Sequence, residues 1–257
     1  MTGFQWYSMR MTTHTKKRTW IRWTSFLILC GLVVLGFGGM PVRAFDDGTQ
    51  TVWDGYAPTT VMIDAGHGGM DSGAIAFNGQ YEKDLSLEYA LKIGAYIQMM
   101  DPSIAVLYTR TGDEVAWVDE ETTMDFEVDD LVGRSTVVNT YAPDYLLCVH
   151  FNSAEDPTAY GYEAFVRPED VASQQVYSLL SQKLANAGFS ADLGLLSTAD
   201  APLHMVDLTN SASMLLELGF LTNEGDVYAI NDPVMKENIC RSIAEAYVET
   251  IHGAPMN

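Results

Sequence analysis

The chain has 257 residues, 47% hydrophobic and 19% charged, an ordinary globular composition that argues against a disordered protein. It carries 14 Lys and Arg against 34 Asp and Glu, a formal net charge of −20. The first 44 residues hold six of the cations (Arg10, Lys16, Lys17, Arg18, Arg22, Arg43) and no acid, so the rest carries eight cations against 34 acids, a net −26. A body charged that way repels phosphate backbones and anionic headgroups, which excludes a nucleic-acid binder and a protein that docks on membranes through basic residues.

In chain order, Lys16, Lys17, Arg18 and Arg22 precede an uncharged stretch from Trp23 to Val42 that ends in Val42-Arg43-Ala44. A cationic start, an apolar middle and small residues at the end predict a secretory signal over residues 1–44, cleaved after Ala44. The stretch is also about the ~20 residues that cross a bilayer, so a retained anchor is the competing reading. Either way the acidic body is expected outside the cytoplasm, with the membrane reached only through this segment. Residues 45–58 read as a linker, broken by Asp46-Asp47-Gly48 and Gly55-Tyr56-Ala57-Pro58. Residues 59–257 suit a single domain with a full core.

Within that domain, strands are predicted at Thr60–Asp64, Ile104–Thr109, Tyr145–His150, Tyr162–Val166 and Ser213–Glu217. Helical periodicity marks Glu82–Met100, Asp129–Tyr141, Pro168–Ala187 and Pro233–Ile251. Strands alternating with helices predict an α/β fold: a single domain with a twisted, mainly parallel sheet flanked by helices on both faces. Residues 113–130 break the rhythm with nine acids in eighteen positions and are expected to form a solvated surface loop. Cys148 and Cys240 lie in apolar sequence and are expected to be buried free thiols.

Three predicted strands end on residues foreign to an apolar interior. Val61-Met62-Ile63-Asp64 runs into Ala65-Gly66-His67-Gly68-Gly69, Leu146-Leu147-Cys148-Val149 into His150, and Met214-Leu215-Leu216 into Glu217. Ligands of open α/β sheets bind beyond the carboxyl ends of the strands, so these residues are placed to converge on one crevice. Glu82 falls on the buried stripe of its helix, with Leu85, Tyr89, Ile93 and Ile97. A carboxylate there requires compensation, and Lys83 points about a quarter-turn away.

Two imidazoles and a carboxylate form a common ligand set of catalytic Zn2+, with water in the fourth position. His67, Glu82 and His150 would then be the metal ligands, and Glu217, in apolar surroundings that raise its pKa, the general acid and base of a metal-assisted hydrolysis. Each residue taken alone has a plainer explanation: a hydrogen-bonded core histidine, a helix-end glutamate, or an ion pair between Glu217 and Arg134. Asp64 and Asn152 are candidates to orient His67 or substrate. HExxH, GxSxG, GxxxxGK(S/T) and GxGxxG are all absent, which removes support for ordinary zincins, serine hydrolases and nucleotide binders.

The segments Ile63-Asp64-Ala65-Gly66-His67-Gly68-Gly69, Tyr81-Glu82-Lys83-Asp84, Val149-His150-Phe151-Asn152-Ser153 and Leu216-Glu217-Leu218-Gly219-Phe220-Leu221-Thr222-Asn223 resemble, in order and spacing, the zinc-dependent N-acetylmuramoyl-L-alanine amidases of bacterial cell walls. The resemblance runs from about Thr60 to the last helix. It implies a sheet flanked by helices, peptidoglycan as partner, and hydrolysis of the amide between the lactyl group of N-acetylmuramic acid and L-alanine. It also implies His67, Glu82 and His150 as zinc ligands and Glu217 as catalytic acid and base. Arg134, in Gly133-Arg134-Ser135, matches a recurrent family arginine.

Departures from the family pattern stand at Asp207 and Ala212, where an arginine and a proline are frequent, and in the long acidic stretch 113–130, a candidate lid or specificity loop. Ser153 and Glu163 are too close in sequence to hold the inhibitory helix that some members insert there, so an open site is expected. With no dedicated wall-binding module, engagement of the wall is expected from the cleft or from membrane tethering. A zinc peptidase acting on another exported substrate and a muramoyl amidase specific to spore cortex are the alternative functions.

Overall fold

The computed structural model describes residues 58–200 and 202–253. The expected signal or anchor, residues 1–44, and the linker up to residue 57 lie outside the described residues. The elements are β1 (Thr60–Ala65), α1 (Glu82–Met100), β2 (Ala105–Tyr108), α2 (Phe126–Tyr141), β3 (Tyr145–Asn152), β4 (Tyr162–Val166), α3 (Val171–Ala187), β5 (Asp192–Ser197), α4 (His204–Asp207), β6 (Ala212–Phe220), α5 (Glu224–Asn231) and α6 (Pro233–His252).

The six strands form one sheet in the order β2-β1-β3-β6-β4-β5. The first four strands in that order run parallel, as expected. β4 is antiparallel to β6 and β5 parallel to β4, so the sheet is mixed. Successive side chains along a strand point to opposite faces. Ile63, Leu147, Val149 and Leu216 therefore share one face, in a core with Leu85, Tyr89 and Ile93 of α1, Leu180 of α3 and Ile243 and Tyr247 of α6. Met62, Leu146, Cys148 and Leu215 point the other way, onto Val138 of α2 and Met205 and Val206 of α4. Cys148 and Cys240 are both buried and unpaired, as predicted. No helix of the described residues is long and apolar enough to cross a membrane.

The structure differs from the expected elements mainly at their ends, and capping explains why. α2 begins at Phe126 instead of Asp129, because the Asp125 carboxylate accepts the Val128 amide N–H. α3 begins at Val171 instead of Pro168, because Asp170 accepts from Ser173 N at 2.9 Å. β5 was not foreseen: it is an edge strand interrupted by Gly194 at φ 105°, and its exposed Leu193 and Leu196 break the usual alternation. α4 has four residues and α5 eight, too short for a periodic signal.

Candidate metal centre

β1 delivers the chain to the site, and Gly66 N continues its pairing by donating to Val149 O at 3.1 Å. His67 then adopts φ 60°, a left-handed conformation costing a non-glycine residue of order 1 kcal/mol or more. Two neighbours fix it there: Arg134 donates to the His67 carbonyl, and Asp71 Oδ2 lies 2.6 Å from Nδ1. The turn leaves Nε2 facing inward. Glu82 enters from the first turn of α1 and His150 from the end of β3.

Glu82 Oε1 lies 3.0 Å from His67 Nε2 and 3.1 Å from His150 Nδ1, and the two imidazole rings meet edge to face at 4.9 Å. Glu82 also accepts the Phe151 amide at 3.0 Å on Oε1 and the Ala74 amide at 2.9 Å on Oε2. Glycines make the crowding possible. A Cβ on Gly66 would stand 2.3 Å from the His150 ring, and one on Gly73 would stand 2.7 Å from both Glu82 Oε2 and His67 Cδ2.

His67, Glu82 and His150 each offer a ligand atom, and these atoms all lie within 4.8 Å of one another. Among the described residues no lysine or arginine pairs with Glu82. Lys83 reaches Gly69 O at 2.8 Å and Asp113 at 3.0 Å, and Arg134 is engaged by Asp64 and Asp130. The charge that balances the cluster is therefore a proton or a bound cation. Burial alone would lower the His67 pKa, yet hydrogen bonds to Asp71 and Glu82 overcome it and push the value up to about 10. Burial likewise opposes ionisation of Glu82, and its bonds to His150 and His67 hold it well below the usual carboxylate range. A site this eager for positive charge, built of two imidazoles and a carboxylate at ligand spacing, fits a divalent metal.

Glu217 stands beside the cluster because β3 and β6 are in register, with His150 opposite Glu217. Its side chain is partly buried, and Oε2 is shut off from solvent without a hydrogen-bond partner. Burial first, and then the neighbouring Glu82 carboxylate, raise its pKa well above the ordinary value. Glu163 faces Glu217 from β4 and accepts from Asn152 Nδ2 at 2.7 Å. The site opens into a cavity of about 330 Å³ whose wall includes Asp64, His67, Asp71, Glu127, His150 and Met205.

A family model described as N-acetylmuramoyl-L-alanine amidase matches residues 61–249, which covers the cluster, Glu217 and all of the sheet but Thr60. The chain belongs to this family. The amidase CwlM of Bacillus licheniformis is 27% identical over 185 residues, which are 72% of this chain and 65% of that protein. A sporulation-specific N-acetylmuramoyl-L-alanine amidase of Bacillus subtilis is 25% identical over the same shares of both proteins. The chain thus spans 65% of the length of these two relatives. Among solved structures, the catalytic domain of CwlV from Bacillus (Paenibacillus) polymyxa var. colistinus superposes with TM-score 0.63 at 26% identity, covering 76% of this chain and 98% of that one. CwlD of Clostridioides difficile, solved with the GerS lipoprotein, shares the fold at TM-score 0.67 and 22% identity over 76% of this chain and 99% of its own.

In this amidase-family chain the remaining sequence-predicted residues take other places. Arg134 does not pair with Glu217. It bonds Asp64 and Asp130 at 2.9 Å, the Ala65 carbonyl at 2.7 Å and the His67 carbonyl, and so braces the loop that carries His67. Asp64 does not touch His67; its Oδ1 receives Arg134 and, at 2.6 Å, Thr109. The carboxylate that holds His67 is Asp71, overlooked because the sequence gives no sign of a turn that folds it back onto a residue four positions earlier. Asn152 contacts Glu163, on the Glu217 side of the cluster. His204 meets Ser135 Oγ at 3.0 Å and is not part of the cluster.

The acidic stretch is less free than expected. Asp113 is tied to Lys83 and Gly69, Val115 is buried, and Trp117 donates to Asp130 at 2.7 Å while its ring lies 5.4 Å from the Arg134 guanidinium carbon. Its last five residues, 126–130, belong to α2. Residues 153–161 contain no helix.

Proposed function

We propose that this chain is an exported, zinc-dependent N-acetylmuramoyl-L-alanine amidase that cuts the amide between the lactyl group of N-acetylmuramic acid and L-alanine in peptidoglycan. The observation that carries the reading is the convergence of His67, Glu82 and His150, with Glu217 in register beside them. Those three side chains would hold Zn2+, which would supply the Lewis acidity that polarises the scissile carbonyl and acidifies water.

Glu217 does the proton work. Its raised pKa suits a group that takes a proton from the attacking water and returns it to the alanyl nitrogen as the C–N bond breaks and the C–O bond forms. Asp71 fixes the His67 ring so that Nε2 faces Glu82, where it would help to hold the ion, and Arg134 keeps the supporting backbone in its left-handed turn. The acidic body and the cationic N-terminal segment support action outside the cytoplasm.

The test is digestion of purified peptidoglycan, with and without chelator, followed by mass analysis. Free muramic lactyl groups and intact stem peptides that begin with L-alanine are expected, and only without chelator. Cleavage within the stem peptide would point to a zinc peptidase, and activity on spore cortex alone to the cortex-specific role. Glu217→Gln is expected to retain one zinc per chain and lose at least about a hundredfold in turnover. Turnover near wild type in that variant would overturn the assigned role.

A further inference from the structure

The two walls of the cleft differ in chemistry. On the α2 side stand Glu127, Asp130 and the acidic stretch. On the other side, residues 74–81 read Ala-Ile-Ala-Phe-Asn-Gly-Gln-Tyr, without a charge, and fold into a hairpin between the cavity wall at Ala74 and the ligand Glu82. This hairpin holds apolar side chains out in water. Ile75 is 56% exposed, Phe77 49%, Tyr81 43%, and Tyr228 of α5 64%.

The arrangement is held firmly. Ile75 and Tyr81 pair as a β-bridge, Ala76 N donates to Gln80 O at 2.8 Å, and Phe77 N donates to Leu221 O at 2.9 Å. The side-chain amides of Gln80 and Asn231 bond each other reciprocally at 3.0 and 2.8 Å, which joins the hairpin to α5. Phe77 and Tyr228 meet edge to face at 5.8 Å.

We propose that this ledge, with Phe77 and Tyr228 at its centre, binds the glycan chain of the substrate. This inference rests on the amidase reading, since a muramoyl amide joins a neutral amino-sugar polymer to a charged peptide. A pyranose ring presents a face of C–H groups, whose positive edge matches the negative face of an aromatic ring. The hairpin itself carries no charge, and the charges that flank Tyr228 at either end of α5, Glu224 and Asp232, are exposed acids, so the ledge admits a neutral polysaccharide and repels anionic polymers. The distance fits as well: Phe77 is three residues beyond Ala74 in the cavity wall, so their Cα atoms are at most about 11 Å apart. A ledge there lets the chain rest while its lactyl amide reaches Glu217.

The experiment uses the full chain. Co-sedimentation with purified peptidoglycan compares Glu217→Gln with the same protein also carrying Phe77→Ala and Tyr228→Ala. In parallel, kcat/KM is measured for the polymer and for a single-sugar muramoyl tripeptide, with and without the two ledge substitutions. The ledge variant is expected to bind the polymer about tenfold more weakly, and its polymer-to-monomer ratio of kcat/KM to fall by a similar factor. Tyr228→Phe alone, which keeps the ring, should preserve both. Unchanged sedimentation and an unchanged ratio, beside normal cleavage by the unaltered protein, sink the ledge alone. Cleavage of neither substrate by the unaltered protein sinks the amidase reading and the ledge with it. A melting temperature equal to the parent's shows that the exposed substitutions left the fold intact.

Discussion

The two faces of the sheet use the same strands to opposite ends. On one, α1, α3 and α6 cover Ile63, Leu147, Val149 and Leu216 with an apolar core. On the other, α2 and the four-residue α4 cover Met62, Leu146, Cys148 and Leu215. The next inward positions along those same rows are Asp64, His150 and Glu217, which take up the polar work of the site. Because alternate residues of one strand serve the two faces, a rigid apolar layer directly backs the groups that must be held within fractions of an ångström. The lesson is a division of labour: stability from one face and chemistry from the ends of the other, with Glu82 at the first turn of α1 the one group that joins them.

That division can be broken or sharpened by mutation. Leu147→Ala, on the closed face, is expected to cost about 2–5 kcal/mol of unfolding free energy in a denaturant titration. Zinc affinity measured by chelator competition on the folded protein should stay unchanged; a large loss there would mean that the faces are not separable. Gly66→Ala, on the open side, drives a methyl group into His150, so zinc affinity should fall about 10–100-fold with a smaller change in stability. Trp117→Phe removes the donor to Asp130 and loosens Arg134 behind His67, at an expected cost of about 1 kcal/mol. A several-fold weakening of zinc binding in that variant would show that the acidic stretch takes part in holding the metal loop.

Glu217 adds a pH dependence. Its pKa is raised by folding, so the native state binds that proton more tightly than the unfolded chain does, and wild type loses stability as pH rises through the folded value. In metal-stripped protein, the advantage in melting temperature of Glu217→Gln over wild type is therefore expected to grow from pH 5 to pH 8. A constant or shrinking difference would contradict the burial described for that side chain.

The core strands and the convergence of His67, Glu82, His150 and Glu217 were legible in the sequence because polar residues ended apolar runs and because the four segments that carry them resemble the amidases in order and spacing. Glu82 stood out for the same reason on its helix stripe. What escaped was set by turns and tertiary contacts. Asp71 reaches His67 only because the chain folds back through the Gly68/Asp71 bridge, and Trp117 matters only because the acidic stretch lies against α2. β5 has neither alternation nor burial to announce it, and its strand character comes from pairing with β4.

The reversal of direction between β6 and β4 has a consequence for any change of length in this chain. It brings the start of β4, and the connection 153–161 before it, to the end of the sheet where β3 and β6 finish, while residues 167–170 emerge at the opposite end. A peptide grafted into 155–158 would stand guard at the entrance and throttle access, whereas one grafted after Val166 would trail from the far side and leave the enzyme unhindered. An inducible gate thus has one natural doorway here, and a reporter another.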